Sequence, residues 1–386
     1  MGRHQLTISD IKIDQLLSSA LRDGSAAWPT EWTQGCDAVR VVERIAYHGI
    51  AGLIVDEAQR LSDWPATVLD AAHYQGIALA MWELRHKAIL ITLLAALANE
   101  KILALLLKGT ALAYDLYPNP ATRARGDSDL LISAADLGAV RDILSRSGFR
   151  RQASNEETAD DFALQEVWSL SWEGQSDHHI DLHWQLLNAP ALRGILEFSD
   201  CSVQPTPLLR LGPDALAMSR VLTLIHTCIH RAMHITSPYF VDGLTYYGGD
   251  RLIWAKDIHL LAGALTQEEW TKFCGLARAQ GVAGVCLEGL NFACTALGTK
   301  VPDWVIQKLG TAGPERASAY LLDLQQMGRA WRDVSAIQGW YRKLAYVGAR
   351  TLPAPSFMRS KYPTMARSSV AFLYVRRMID LFRTRR

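Results

Sequence analysis

The feature that most constrains this chain is a pair of apolar segments joined through a glycine turn. The first runs from Ile102 to Leu107 and ends in Lys108-Gly109-Thr110, and the second opens with Asp127-Ser128-Asp129 and continues as Leu130-Leu131-Ile132. Turn signals at Asn99-Glu100-Lys101 and at Gly109 bound the first run. That fits a strand buried on both faces, although a helical segment of this length has the same periodicity. Thr110 to Leu116 reads as a helix ending before Pro118-Asn119-Pro120, and Ser133 is a good cap for a helix from Ala134 to Ser147 that stops at Gly148. Strand, turn, helix, strand and helix in this order build one α/β unit. In a strand, residues i and i+2 share a face. Asp127 and Asp129 are therefore expected on one face, with Ser128 and Leu130 on the other. Two like charges held that close are costly without a cation between them, and an oxygen-rich pair suits Mg²⁺ or Mn²⁺.

The downstream sequence offers a third carboxylate. Residues 151 to 161 are polar and acidic and read as a loop. Phe162 to Trp172 and His178 to Trp184 then read as the arms of a β-hairpin around the turn 173–177. Alternation places Ile180, Leu182 and Trp184 on one face and His179, Asp181 and His183 on the other. Asp127, Asp129 and Asp181 can then converge on two divalent ions, the arrangement that clamps the attacking and leaving oxygens of an in-line displacement at phosphorus. Asp181 is also placed to take the proton of an acceptor hydroxyl. The helix start at Gly109-Thr110 favours phosphate, because its N–H groups are unpaired and glycine admits close approach. The Thr110 hydroxyl, Lys108 and Arg123 are further candidates for the phosphate chain. His183 is a candidate to orient Asp181 or touch phosphate, with a structural hydrogen-bonded histidine as the alternative.

A glycine turn before a helix, a strand with D-x-D and a lone aspartate on a later strand resemble the nucleotidyltransferase superfamily of the DNA polymerase β type. More narrowly, the chain resembles an uncharacterised nucleotidyltransferase family of bacterial proteins over roughly residues 35 to 300. The resemblance rests on Leu107-Lys108-Gly109, Arg123 four residues before the D-x-D-L-L of Asp127 to Leu131, Ile180-Asp181-Leu182-His183-Trp184, a helical C-terminal half, and Ala46-Tyr47-His48-Gly49-Ile50. It implies metal binding by Asp127, Asp129 and Asp181 and triphosphate contact at Gly109-Thr110. The Gly-Thr turn and the long turn-to-aspartate spacing depart from the superfamily's usual pattern and leave the nucleotide open. The reaction implied is Mg²⁺- or Mn²⁺-dependent transfer of a nucleotidyl group from a nucleoside triphosphate, ATP among the candidates, to an acceptor hydroxyl or phosphate, releasing pyrophosphate. Relatives near peptide natural-product and polysaccharide genes make a peptide or sugar acceptor the expectation. A nucleotide-binding protein without turnover and a nucleotide-sugar glycosyltransferase using the D-x-D pair are the alternatives.

The flanks read as helical. Helices are expected at 8–22, in two pieces across 37–61 broken near Gly49 or Gly52, and from about Pro65 to Ala98 with Gly76 as a weak point. Beyond Pro205 and Pro207 the chain is expected to turn helical and stay so. The expected fold class is α+β, with a small mixed sheet between helical regions. Four segments are expected: an N-terminal helical region at 1–98, the nucleotidyltransferase core at 99–204, a C-terminal helical domain at 205–340 and a basic helical tail at 341–386. Net charge is +1, which gives no global pull towards nucleic acid. Six cysteines without C-x-x-C spacing, no apolar leader and no apolar run long enough to span a bilayer point to the cytoplasm. His226, His230 and His234 share one helix face. A zinc site is a minor alternative, since no H-E-x-x-H pattern or cysteine partner accompanies them; a face lining the nucleotide or acceptor pocket, or plain packing or surface, are the main readings. From Arg342 onward there are eleven Lys or Arg and one acid. This tail reads as a solvated helix face, with contact to an anionic membrane, or to an anionic substrate or nucleic acid, as alternatives.

Overall fold

The computed structural model describes residues 8–23, 26–32, 35–152, 164–171, 177–236, 238–241, 244–247 and 249–352, and beyond these residues 355, 358–359, 362, 365 and 368–383. Most of the expected acidic loop at 151–161 and of the hairpin turn at 173–177 lies outside them, as do the N-terminal residues 1–7. The fold is α+β, with one mixed seven-stranded sheet between helical regions.

The sheet strands are β1 (Ala104–Leu106), β2 (Asp127–Ile132), β3 (Arg150–Arg151), β4 (Gln165–Leu170), β5 (His178–His183), β6 (Thr206–Pro207) and β7 (Leu216–Ala217). Their order is β3-β4-β5-β2-β1-β7-β6. β2 runs antiparallel to β1 and parallel to β5, so the two motif-bearing strands lie side by side at the centre. The β4–β5 pairing is the expected hairpin. β6 and β7 correct the expectation of continuous helix beyond Pro207: β7 adds parallel to β1 through Leu106 and Ala217, and two residues per strand are too few to show periodicity. A separate hairpin of β8 (Pro238–Val241) and β9 (Leu244–Tyr247) was likewise not anticipated.

The helices that position the site are α1 (Ile8–Asp23), α2 (Cys36–His48), α3 (Ala51–Asp56), α4 (Ala66–Asn99), α5 (Lys108–Asp115), α6 (Leu137–Arg146), then Arg220–His234, Leu252–Ala264 and Ala283–Leu297. The break between α2 and α3 is at Gly49, whose φ of 68° ends the helix in the left-handed conformation glycine tolerates. Gly76 does not interrupt α4, since tertiary packing outweighs one glycine's helix penalty of about 1 kcal/mol. Val68, Leu90, Leu93, Leu94 and Leu97 of α4 are all buried.

Strand alternation decides which side of the sheet meets which helices. Leu90, Leu93 and Leu97 of α4 and Val140 and Leu144 of α6 share a core with Leu106, Leu130, Ile132, Ile180 and Leu182. Leu105, Leu107 and Leu131 point the other way, into a core with Ile225 and Ile229 of Arg220–His234 and with Ile253 and Ile258 of Leu252–Ala264. By the same parity Asp127, Asp129, His179, Asp181 and His183 sit on this second side, so the carboxylates face the C-terminal helices and not α4. Gly52 lets α3 press against the loop that carries Arg123, because a Cβ there would lie 2.7 Å from the Thr122 Cα.

Candidate active site

Parallel pairing of β2 with β5 sets Asp129 opposite Asp181 and Asp127 opposite His179. The carboxylates that were expected to converge thus come from adjacent strands. Ligand atoms of Asp129, Asp181 and His183 lie within 4.8 Å of one another. Asp127, at the exposed start of β2, stands at the mouth of the site.

Lys108 closes the opposite side. The Leu107 N–H donates to the Asp129 carbonyl (3.0 Å), tying the end of β1 to β2. The chain then turns through Lys108 with φ of +45°, an uncommon conformation for a residue with a Cβ. The turn brings the Lys108 ammonium to Asp129 Oδ1 at 2.6 Å. His183 Nε2 is 3.0 Å from the same oxygen, and since Asp129 is ionised the imidazole is the donor. This leaves buried His183 Nδ1 without a hydrogen-bond partner among the described residues.

The three carboxylates differ electrostatically. Burial raises the pKa of Asp129, but the Lys108 charge and the His183 hydrogen bond outweigh it and hold the group well below the usual carboxylate range. Asp181 has no such partner: burial and the charges of Asp129 and Asp127 push it up to about 7. Asp127 is also raised, by the protein crowding around it and by the Asp129 charge. Two carboxylates driven towards neutrality beside a third that stays charged are an oxygen-rich donor set short of positive charge. Those residues fit a hard divalent cation.

These groups open into a cavity of about 540 Å³ lined by Lys108, Gly109, Arg123, Arg125, Asp127, Asp129, Asp181 and, across from them, His230, His234, Arg251 and Trp254. The first turn of α5 faces it without a side-chain cap. A Cβ on Gly109 would meet only Arg125 and Arg123 atoms at 3.4–3.5 Å, so the folded chain itself does not demand glycine there.

Two expected phosphate contacts are placed otherwise. The Thr110 side chain is buried, and its hydroxyl shares a 2.7 Å hydrogen bond with Ser128, which meets His86 Nε2 at 2.6 Å on the α4 side of the sheet. Arg123 lines the cavity, but its guanidinium forms a bidentate pair with buried Asp257 at 2.8 and 2.7 Å, and Tyr117 donates to the same carboxylate. Asp257 therefore fixes the Arg123 guanidinium against the cavity wall.

Other lining residues escaped sequence reasoning. Arg125 pairs with Glu83 of α4 and donates to the Pro120 and Arg123 carbonyls at 3.1 Å each. Arg251 Nε donates to the Tyr47 carbonyl (2.7 Å), and the Leu252 N–H donates to His48 Nδ1 (3.1 Å). His48 is in turn 2.7 Å from Asp14. The Ala46 to Ile50 stretch thus anchors Arg251 from more than two hundred residues away, and its oddity as a Tyr-His-Gly helix end was the one available signal. Burial and the charges of His234, Lys108 and His226 hold the His230 pKa well below the usual range, so it is neutral at pH 7. His226 lies behind it, fully packed.

Residues 35–298 match the model of a family described as "Uncharacterised nucleotidyltransferase", which covers more than half of the chain. No curated protein matches it.

Proposed function

The chain belongs to the uncharacterised nucleotidyltransferase family, and we propose that it moves a nucleotidyl group from a nucleoside triphosphate to an acceptor hydroxyl or phosphate, with release of pyrophosphate. The observation that carries the reading is the Asp129–Asp181 register across parallel β2 and β5, beside the uncapped start of α5 in one cavity. Asp127, Asp129 and Asp181 are the proposed holders of Mg²⁺ or Mn²⁺, with His183 fixing the Asp129 carboxylate. When bound, such an ion supplies positive charge to the phosphoryl oxygens.

The remaining roles belong to the chain's own groups. Gly109 and the backbone of Thr110 offer N–H groups to the triphosphate, and a missing Cβ leaves them open to approach. Lys108 pairs with phosphate as well as with Asp129. Arg123, held by Asp257, supports the turn and contributes field more than a free fork. Asp181, poised near neutral pH, is suited to take the proton of an acceptor hydroxyl. His230, His234, Arg251 and Trp254 form the wall where an acceptor would lie, and a peptide or a sugar is the class proposed.

Incubation with Mg²⁺, each α-labelled nucleoside triphosphate and candidate peptide and sugar acceptors tests this. Label on an acceptor together with pyrophosphate, both lost in Asp127→Ala, is the expected result. Binding without pyrophosphate release, unchanged in Asp127→Ala, would leave a binding protein instead. Transfer only from a nucleotide sugar would identify a glycosyltransferase.

A further inference from the structure

The C-terminal helices carry an unpartnered apolar face that the transfer reaction does not use. In the helix Trp340–Thr351, Trp340, Leu344 and Val347 follow i, i+4, i+7 spacing and form one stripe. Trp340 is 75 % and Leu344 61 % exposed, whereas Tyr346 on the opposite side is buried against Ile337. In the last helix, Val370–Arg383, Phe372, Val375 and Ile379 repeat the pattern at i, i+3, i+7. Phe372 is 51 % and Val375 57 % exposed, while Leu373 is buried. Both helices therefore turn a packed side inward and their aromatic and aliphatic side chains outward. Solvated helices bury such a stripe and expose charge, so these exposed apolar faces overturn the expectation of a plain solvated face.

Charge identifies the occupant. Residues 342–386 hold eleven Lys or Arg against the single acid Asp380, whereas residues 1–341 hold 29 basic and 38 acidic residues. The cationic character of the chain is thus confined to the segment that bears the exposed stripes. On a helical wheel Lys343 flanks the Trp340–Leu344–Val347 stripe, and Arg376 borders the Phe372–Val375–Ile379 stripe on its Phe372 side. Cations bordering Trp, Phe and aliphatic residues match the boundary between anionic headgroups and acyl chains. Leu344, Val347, Val375 and Ile379 have no use on a phosphodiester backbone, which argues for lipid over nucleic acid. Among the described residues no helix is long and apolar enough to cross a membrane, so the contact is with its surface.

We propose that the helices Trp340–Thr351 and Val370–Arg383 dock this protein on an anionic bilayer surface, with the acidic body turned away from it. The full chain is mixed with sucrose-loaded phosphatidylcholine vesicles, with and without about 30 mol % phosphatidylglycerol, and sedimented. The expected result is sedimentation with the anionic vesicles only, weakened by salt, with Trp340 quenched by brominated lipid. The double substitution Leu344→Glu and Phe372→Glu should lower the partition coefficient at least about tenfold without moving the melting temperature, since both side chains are exposed. Lys343→Glu, which leaves the stripe intact, should weaken binding less and reduce its salt dependence. Absence of vesicle binding, equal binding to neutral vesicles, or binding indifferent to all three substitutions would overturn the proposal. So would light scattering that shows a stable oligomer abolished by Leu344→Glu with no vesicle binding, or preferential capture of an oligonucleotide.

Discussion

Replacing Asp181 with Asn should stabilise the metal-free protein, by an amount that depends on pH in a defined way. Burial and the charges of Asp129 and Asp127 move this carboxyl from 3.8 to about 7 in the folded state. A carboxyl raised on folding favours the native state while protonated, so its contribution is fully present below pH 3.8 and lost as pH rises through about 7. At about 1.4 kcal/mol for each tenfold step, the loss approaches about 4 kcal/mol as an upper bound above neutrality. Relaxation around the side chain, part of which is solvated, should leave roughly 2–3 kcal/mol. Urea unfolding in EDTA, compared between wild type and Asp181→Asn, measures the difference. The gap should be near zero at the acid end, widen up to about pH 7 and stay flat beyond it. Adding Mg²⁺ should close it from the wild-type side at alkaline pH, because the ion supplies the missing counter-charge. A gap independent of pH, or an Asn variant less stable than wild type at alkaline pH without metal, would refute the account of a carboxylate crowded by like charges.

Arg123→Ala should destabilise the fold by about 3–5 kcal/mol, because Asp257 is left buried without its bidentate partner; thermal unfolding checks this, and Arg123→Ala/Asp257→Asn should recover part of the loss. Gly52→Ala should cost about 1–3 kcal/mol by forcing α3 away from Thr122, and calorimetry would show it. His234→Ala should leave stability within about 0.5 kcal/mol, since its side chain is exposed. If it lines the acceptor wall it should raise the acceptor KM more than the nucleotide KM, which steady-state kinetics would resolve.

What could be determined from sequence alone was whatever depends on local periodicity and turn chemistry. Alternation in 127–132 and 178–183 assigned Asp127, Asp129, Asp181 and His183 to one side and Ser128, Ile180 and Leu182 to the other, and the sheet keeps that assignment. The helix break near Gly49 was equally legible, because it rests on glycine's conformational freedom; the turn before α5, expected at Gly109, is made instead by Lys108 with φ of +45°. Tertiary structure decided the partners. Nothing in the spacing states that β2 and β5 run parallel with Asp129 beside Asp181, since register is set by the whole sheet. Local pattern could not reveal that Arg123 is committed to Asp257, that Thr110 turns to Ser128, or that Tyr47 holds Arg251 at the cavity. Each of those contacts joins residues whose distance along the chain carries no periodic signal. The two carboxylates one residue apart were visible from the start; which cations, strands and walls surround them is a property of the folded molecule.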